Sequence, residues 1–424
     1  MMFMVMTVPV MMVSCGDDDE PVGGSTGPGG EPPMTQIDVN AQKQIISNTA
    51  EELIGKFNAA DFRQVVDLFE YVDKNSQNGD EIGVWFEQCV QMCMVSFSDS
   101  LVENVYKLSN FYGQFELRNG LWTKTSSKVN FLEFNFTDDE GQPCSLRLTC
   151  SGKDTPVHHD SFDDTYRMYY EDNGEYYYLM TRIKNTFVIP ENINITLTRR
   201  GNSVAAAQMT SNISLRGGDD EFDYKRDGIE LSAEVSVGNY KWTVDKVAFN
   251  AGRSASFSES LSKDGQKLVS LSMTASGDVT DETNLSGGLT SLNFDILGKV
   301  AIKGNINDIT KFSAIMEDVD DICTDEMMFK EKLQSANNLL DLKLYLNGSN
   351  SACAYLQLYP FVDEDSYYGQ IWYYQPVIMF SDGTSYSTFA SYFDETTYQG
   401  VIKKFYDMAY EFMALVDKNA NIAW

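Results

Sequence analysis

His158 and His159 are the only histidines in 424 residues, and they are adjacent. That spacing removes most hydrolytic chemistry that depends on imidazole. A zinc helix of the H-E-x-x-H type needs two histidines four residues apart. On a strand, neighbouring side chains point to opposite faces, so these two cannot grip one metal ion together. One of them could join a carboxylate such as Asp160, but an ordinary polar pair at a strand edge is the plainer expectation. The same scarcity weighs against Ser-His-Asp and Cys-His nucleophiles. Gly23-Gly24-Ser25-Thr26-Gly27 matches G-x-S-x-G, yet no strand precedes it and no helix follows it. No phosphate-cradling glycine loop and no dinucleotide fingerprint is present. With 62 acidic residues, a carboxylate pair for glycoside hydrolysis is available in principle, and no spacing selects one. The acid runs Glu317-Asp318-Val319-Asp320-Asp321 and Asp363-Glu364-Asp365 lack the alternation and central glycine of an EF-hand loop. The expectation is a protein that is not an enzyme, with no metal centre and no cofactor.

Binding chemistry is better represented. Tyr169, Tyr170, Tyr176, Tyr177 and Tyr178 flank an Asn-Gly turn, and Trp372, Tyr373 and Tyr374 form a second aromatic group after Tyr367-Tyr368-Gly369. Strand alternation places some of these rings outward. Outward Tyr and Trp beside Asp, Asn and Gln can stack on a sugar and bond its hydroxyls, or bury against a protein partner. Tyrosine also favours strands for packing reasons alone. The formal charge of −30 repels phosphate over most of the surface and argues against nucleic acid as a partner. Six cysteines besides Cys15 allow up to three disulfides, but no C-x-x-C redox motif occurs. Cys144 and Cys150 would lie about 20 Å apart on one strand face, too far to bridge each other.

The N-terminus supplies an address. Residues 1–14 (MMFMVMTVPVMMVS) form an apolar run of signal-peptide length, and Ser14-Cys15-Gly16 leads at once into Asp17-Asp18-Asp19-Glu20. No Lys or Arg precedes the run, so a start codon further upstream is expected. The junction resembles the lipobox of uncharacterised Bacteroidetes-type surface lipoproteins, in which an acidic patch follows the lipidated cysteine. That resemblance implies cleavage before Cys15 and anchoring in the outer membrane with the body exposed at the cell surface. A periplasm-facing body is the alternative. Acyl chains on Cys15, at roughly 0.8 kcal/mol per buried CH₂, would hold the protein without a transmembrane helix. Residues 15–35, with PVGGSTGPGGEPP, read as a flexible tether.

Residues 36–424 must position whatever site exists, and no Pro/Gly-rich linker divides them, so one continuous α+β domain is expected. Residues 36–108 carry a helical period. Asp61 is placed to cap a helix bearing Val65, Leu68, Phe69 and Val72. Val84 to Tyr106 reads as a second helix, with Trp85, Cys89, Val90, Cys93 and Phe97 as its stripe. From 109 to 305 the period is two, with an Asn119-Gly120 hairpin and a row of Leu231, Ala233, Val235 and Val237. An internal repeat aligns LTRRGNSVAAAQMTSN (197–212) with LSKDGQKLVSLSMTAS (261–276), and a weaker copy covers Ser145–Gly152. Each copy reads as strand, glycine-centred turn, strand. Residues 306–424 mix helix (307–338), a hairpin over Asn347-Gly348, a strand to Phe380 and a last helix, 396–416, with Val401, Phe405, Met408, Phe412 and Leu415 inward. The architecture expected is a large curved antiparallel β-sheet, a meander with internal repeats, with N- and C-terminal helices packed on one face.

Three functional readings follow. The first is a lipid-anchored, non-catalytic surface module that binds a glycan or a protein. The second is a half-barrel-like carrier of an apolar ligand such as lipid, and the third is a carboxylate-dependent glycoside hydrolase.

Overall fold

The computed structural model describes residues 37–77, 80–98, 101–172, 175–217, 221–279, 285–363, 370–380, 386–388 and 399–416. The signal segment, Cys15 and the tether lie outside them. The fold is α+β, mostly strand with a few helices. Two compact units form, one from the chain up to Ala59 and from Ser256 onward, the other from Ala60–Ala255. Neither boundary carries a Pro/Gly-rich run, so composition gives no sign of the division. No helix among the described residues is long and apolar enough to cross a membrane.

Helix α1 (Val39–Ile54) starts where Asp38 accepts the backbone N–H groups of Asn40 at 2.9 Å and Ala41 at 3.3 Å. Those bonds satisfy donors that a helix N-terminus leaves orphaned. In the second unit, α2 (Arg63–Asn75) departs from the expected cap. Asp61 sits inside a tight turn, Ala59–Phe62, and the cap position is Phe62, whose side chain makes no capping bond. The next helix, α3 (Asp80–Gln91), is also shorter than expected, because the chain turns extended into β1 (Met94–Phe97) and β2 (Leu101–Lys107). Trp85, Cys89, Cys93 and Phe97 are four residues apart, and a spacing of four fits a period of two as well as one of 3.6. The β-branched Val95, Val102 and Val105 tip the balance, and β2 gains a parallel ladder along β7 (Glu175–Arg199).

The rest of this unit comprises β3 (Gly113–Arg118), β4 (Leu121–Ser126), β5 (Leu132–Thr137), β6 (Pro143–Asp172), β8 (Asn202–Ser214), β9 (Gly228–Val237) and β10 (Tyr240–Asn250). Antiparallel pairing runs from β5 through β10, and β3 pairs antiparallel with β4 and parallel with β5. The expected row on β9 meets the first repeat copy face to face: Ala205, Ala207 and Met209 stand opposite Val237, Val235 and Ala233. Leu68 of α2 and Trp85 and Cys89 of α3 are buried with Phe115, Trp122, Phe136, Cys144 and Leu197.

The first unit continues with β11 (Ser254–Lys263), β12 (Gln266–Val279), β13 (Leu285–Ile296), β14 (Val300–Ile306), α4 (Ile309–Asp321), α5 (Glu326–Asn337), β15 (Leu340–Leu346), β16 (Ala354–Asp363), β17 (Ile371–Phe380), β18 (Tyr386–Thr388) and α6 (Gln399–Val416). The second repeat copy is β11, a two-residue turn and β12. Asp264 and Gly265 take φ of 51° and 78° in that turn, the left-handed geometry a tight hairpin needs.

Register then sorts the side chains of β12 to β17 into two faces. Leu271, Phe294, Ile302, Leu344, Ala354 and Phe380 stand in one cross-strand row. One residue along, the row is Ser272, Asn293, Lys303, Lys343, Tyr355 and Met379, on the opposite face. The helices cover the first face. Val39, Ile45 and Ile46 of α1 pack over Val300, Leu344, Leu346, Ile378 and Phe380, while α4 and α5 close over Leu358, Trp372 and Tyr374. Each large side chain so buried contributes roughly 1.5–3 kcal/mol. Helix α6 packs on α1, buries Val401, Phe412 and Leu415, and ties Lys404 to Glu51. Phe405, expected inward, is 37% exposed, so the buried stripe is narrower than the periodicity suggests.

Candidate functional site

The second aromatic group divides between the two faces of β17. Trp372 and Tyr374 point to the helices. The Trp372 ring lies 6.3 Å from Phe329 of α5, the Lys330 ammonium is 4.3 Å from its centroid, and its backbone N–H donates to the Cys323 carbonyl at 2.6 Å. Tyr373 takes the other face, where its ring stacks on Phe361 of β16 at 5.7 Å and 23°. Phe361 meets Tyr359 edge-on at 5.4 Å. All three are half-buried. Along β16 the same face carries Tyr355, Gln357, Tyr359 and Phe361, a row about 20 Å long at roughly 3.3 Å per residue.

Beside that row the face turns polar. Lys303 and Lys343 are direct cross-strand partners, and Asn305 stands opposite Asp341. The Lys343 ammonium pairs with Asp341 at 2.8 Å. The Lys303 ammonium lies 5.3 Å from the centre of the Tyr345 ring and has no carboxylate partner among the described residues. Asn293 Oδ1 and Asn305 Oδ1 are buried and accept no hydrogen bond among the described residues. A buried acceptor left unmatched costs on the order of 1–3 kcal/mol.

None of Asn293, Lys303, Asn305, Lys343, Tyr345, Tyr355, Tyr359 or Phe361 is singled out by motif reading. The signal is nevertheless present in LDLKLYL and AYLQLYPF. There Lys343 and Tyr345, then Tyr355, Gln357, Tyr359 and Phe361, alternate with leucines and a proline on the other face.

The first aromatic group is placed by backbone register alone. Tyr169 stands opposite Tyr178, Tyr170 opposite Tyr177 and Glu171 opposite Tyr176 in the β6–β7 hairpin. The side chains of these tyrosines and the turn at 173–174 lie outside the described residues. His158 is buried in the β6–β7 hairpin opposite Thr186. Its backbone also bridges to Glu221. Asp160 is ion-paired with Arg182, which holds its carboxyl below the usual carboxylate range. Among the described residues no group of three His, Cys, Asp or Glu side chains is placed to hold a metal ion. Glu364 and Asp365 lie outside those residues, and Asp318 is ion-paired with Lys332.

The thiols at 89, 93, 144, 150, 323 and 353 are all free. Burial pushes Cys353 up to about 12 and raises Cys89 and Cys144, which keeps these sulfurs protonated and inert.

In the Ala60–Ala255 unit a cleft of about 190 Å³ opens between α2, α3 and the sheet, lined by side chains that include Leu68, Phe69, Val72, Ile82, Trp122 and Phe136. Phe69 stands 56% exposed beside it.

No family model, no curated protein and no solved structure matches this chain.

Proposed function

We propose that this is a lipid-anchored outer-membrane protein whose body binds a glycan on the face of β12 to β17 that carries Tyr355, Tyr359, Phe361 and Tyr373. The observation that carries the reading is the Tyr359, Phe361 and Tyr373 cluster, set in line with Tyr355 and beside Asn293 and Asn305. Aromatic faces stack on the C–H surface of a pyranose, and amide groups bond its hydroxyls. A row about 20 Å long suits an oligosaccharide better than a single sugar. The lipobox-like Ser14-Cys15-Gly16 and the acidic run after it support the anchor and the surface location.

Two measurements test this. In a glycan-array screen of the soluble body, Tyr359→Ala, Phe361→Ala or Tyr373→Ala should each weaken binding about fivefold or more, the loss expected of an aromatic anchor. Trp372→Ala, whose ring lies under α5, should lower thermal stability and leave the affinity of the folded fraction in place. Equal binding by all three face variants removes the reading. For the anchor, Cys15→Ser should release the protein from the envelope fraction. A variant that still sediments with membranes contradicts it.

The apolar cleft beside Phe69 favours a second reading, the carriage of an apolar group such as an acyl chain. Native mass spectrometry of the purified body, with Leu68→Trp to fill the cleft, should then show a co-purified lipid that the variant loses.

A further inference from the structure

The polar end of the same face has a charge pattern that uncharged sugars do not require. The chain carries 62 acidic residues against 32 lysines and arginines, yet β14 and β15 set Lys303 and Lys343 directly opposite each other. Like charges in that relation oppose sheet pairing. Their contacts lead in opposite directions along the strand, Lys303 to the Tyr345 ring and Lys343 to Asp341. Lys303 is exposed and has no carboxylate partner among the described residues. Next to this pair lie the two buried amide oxygens that accept nothing, on Asn293 and Asn305. Asn293 is the cross-strand partner of Lys303, and Asn305 is two residues further along the same strand.

We infer that this corner selects a carboxylated sugar, with the uronate carboxylate taken by the exposed Lys303 ammonium beside Lys343. A carboxylate there turns the repulsion of the cross-strand lysine pair into attraction and adds a charge-assisted hydrogen bond. Neighbouring rings of the oligosaccharide then run along Tyr355, Tyr359 and Phe361. This inference rests on the glycan reading and adds the class of sugar.

The experiment compares oligomers of galacturonic, glucuronic and mannuronic acid with the same oligomers after carboxyl reduction, by titration calorimetry on the full soluble body. At about 0.15 M salt the Debye length is near 8 Å, so the overall negative charge is screened and the local pair decides. At least one acid oligomer should bind ten times or more tighter than its reduced form. Lys303→Gln and Lys343→Gln should each erase most of that ratio. Lys330→Gln, on the helix side of the sheet, removes the same charge and should leave the ratio intact. Equal affinities for acid and reduced forms, or a ratio that survives both variants, overturns the uronate assignment and keeps the platform. Failure of every oligomer to bind in either form overturns the platform itself.

Discussion

Gly304→Ala is expected to break the first unit's sheet, with the variant insoluble or melting more than about 10 °C below wild type. Gly304 has a φ of 153°, and a Cβ built on it would lie 1.6 Å from the backbone carbonyl oxygen of Asp341. The obstacle is backbone on the next strand, so no rotamer change relieves it. Accommodation requires β14 to part from β15 between the Lys303–Lys343 and Asn305–Asp341 pairs. That opening exposes ladder hydrogen bonds and the Ile302 and Leu344 side chains of the core row. Losses of a kcal/mol or more at several groups exceed what a marginally stable fold tolerates. Gly265→Ala supplies the contrast. It has a positive φ of 78° but nothing within 4 Å of the new Cβ, so the cost is roughly 1–2 kcal/mol of backbone strain. Thermal melts of the two variants side by side check the account, and a Gly304→Ala melt equal to that of Gly265→Ala contradicts it.

Gly304 also shows where sequence reading ends. Isolated glycines inside strand patterns mark bulges or close approach, but which strand approaches is settled only by register. Period-two alternation fixed the strand character of 340–346 and 354–361 and the identity of the apolar face, so the helices' docking surface was legible. The repeat was legible too, because each copy is a local object: two strands and a turn. Trp372, Tyr373 and Tyr374 were legible as a strand and read as one candidate site, but alternation says that neighbours part company without saying which side the helices will take. Asn293, Lys303, Lys343 and Tyr355 come from four strands and up to 62 positions apart, and only pairing brings them into one row. The helix expected over Val84–Tyr106 failed for a different reason, a spacing of four that two periods share.

Asp227→Ala is expected to lower the stability of the Ala60–Ala255 unit by about 3 kcal/mol and to flatten its acid response. Asp227 is fully buried. One carboxylate oxygen accepts the Arg216 backbone N–H at 2.6 Å and Arg226 Nε at 3.1 Å. The other accepts the Asp223 N–H at 2.9 Å and Arg226 Nη2 at 3.0 Å. The Arg226 guanidinium, helped by the two backbone donors, outweighs the cost of burial and draws the carboxyl from 3.8 down to about 2. Alanine leaves the two backbone donors without an acceptor at roughly 1–3 kcal/mol each. The sign for pH follows from the depressed value. Stabilisation by this carboxylate is fully present above about pH 4 and is lost as pH falls through about 2, because the unfolded chain takes up the proton first. Denaturant titrations at pH 7, 4 and 2.5 read both effects. Wild type should lose its advantage over Asp227→Ala as the pH drops below 4. An advantage that stays constant down to pH 2.5 rules out the carboxylate as its source.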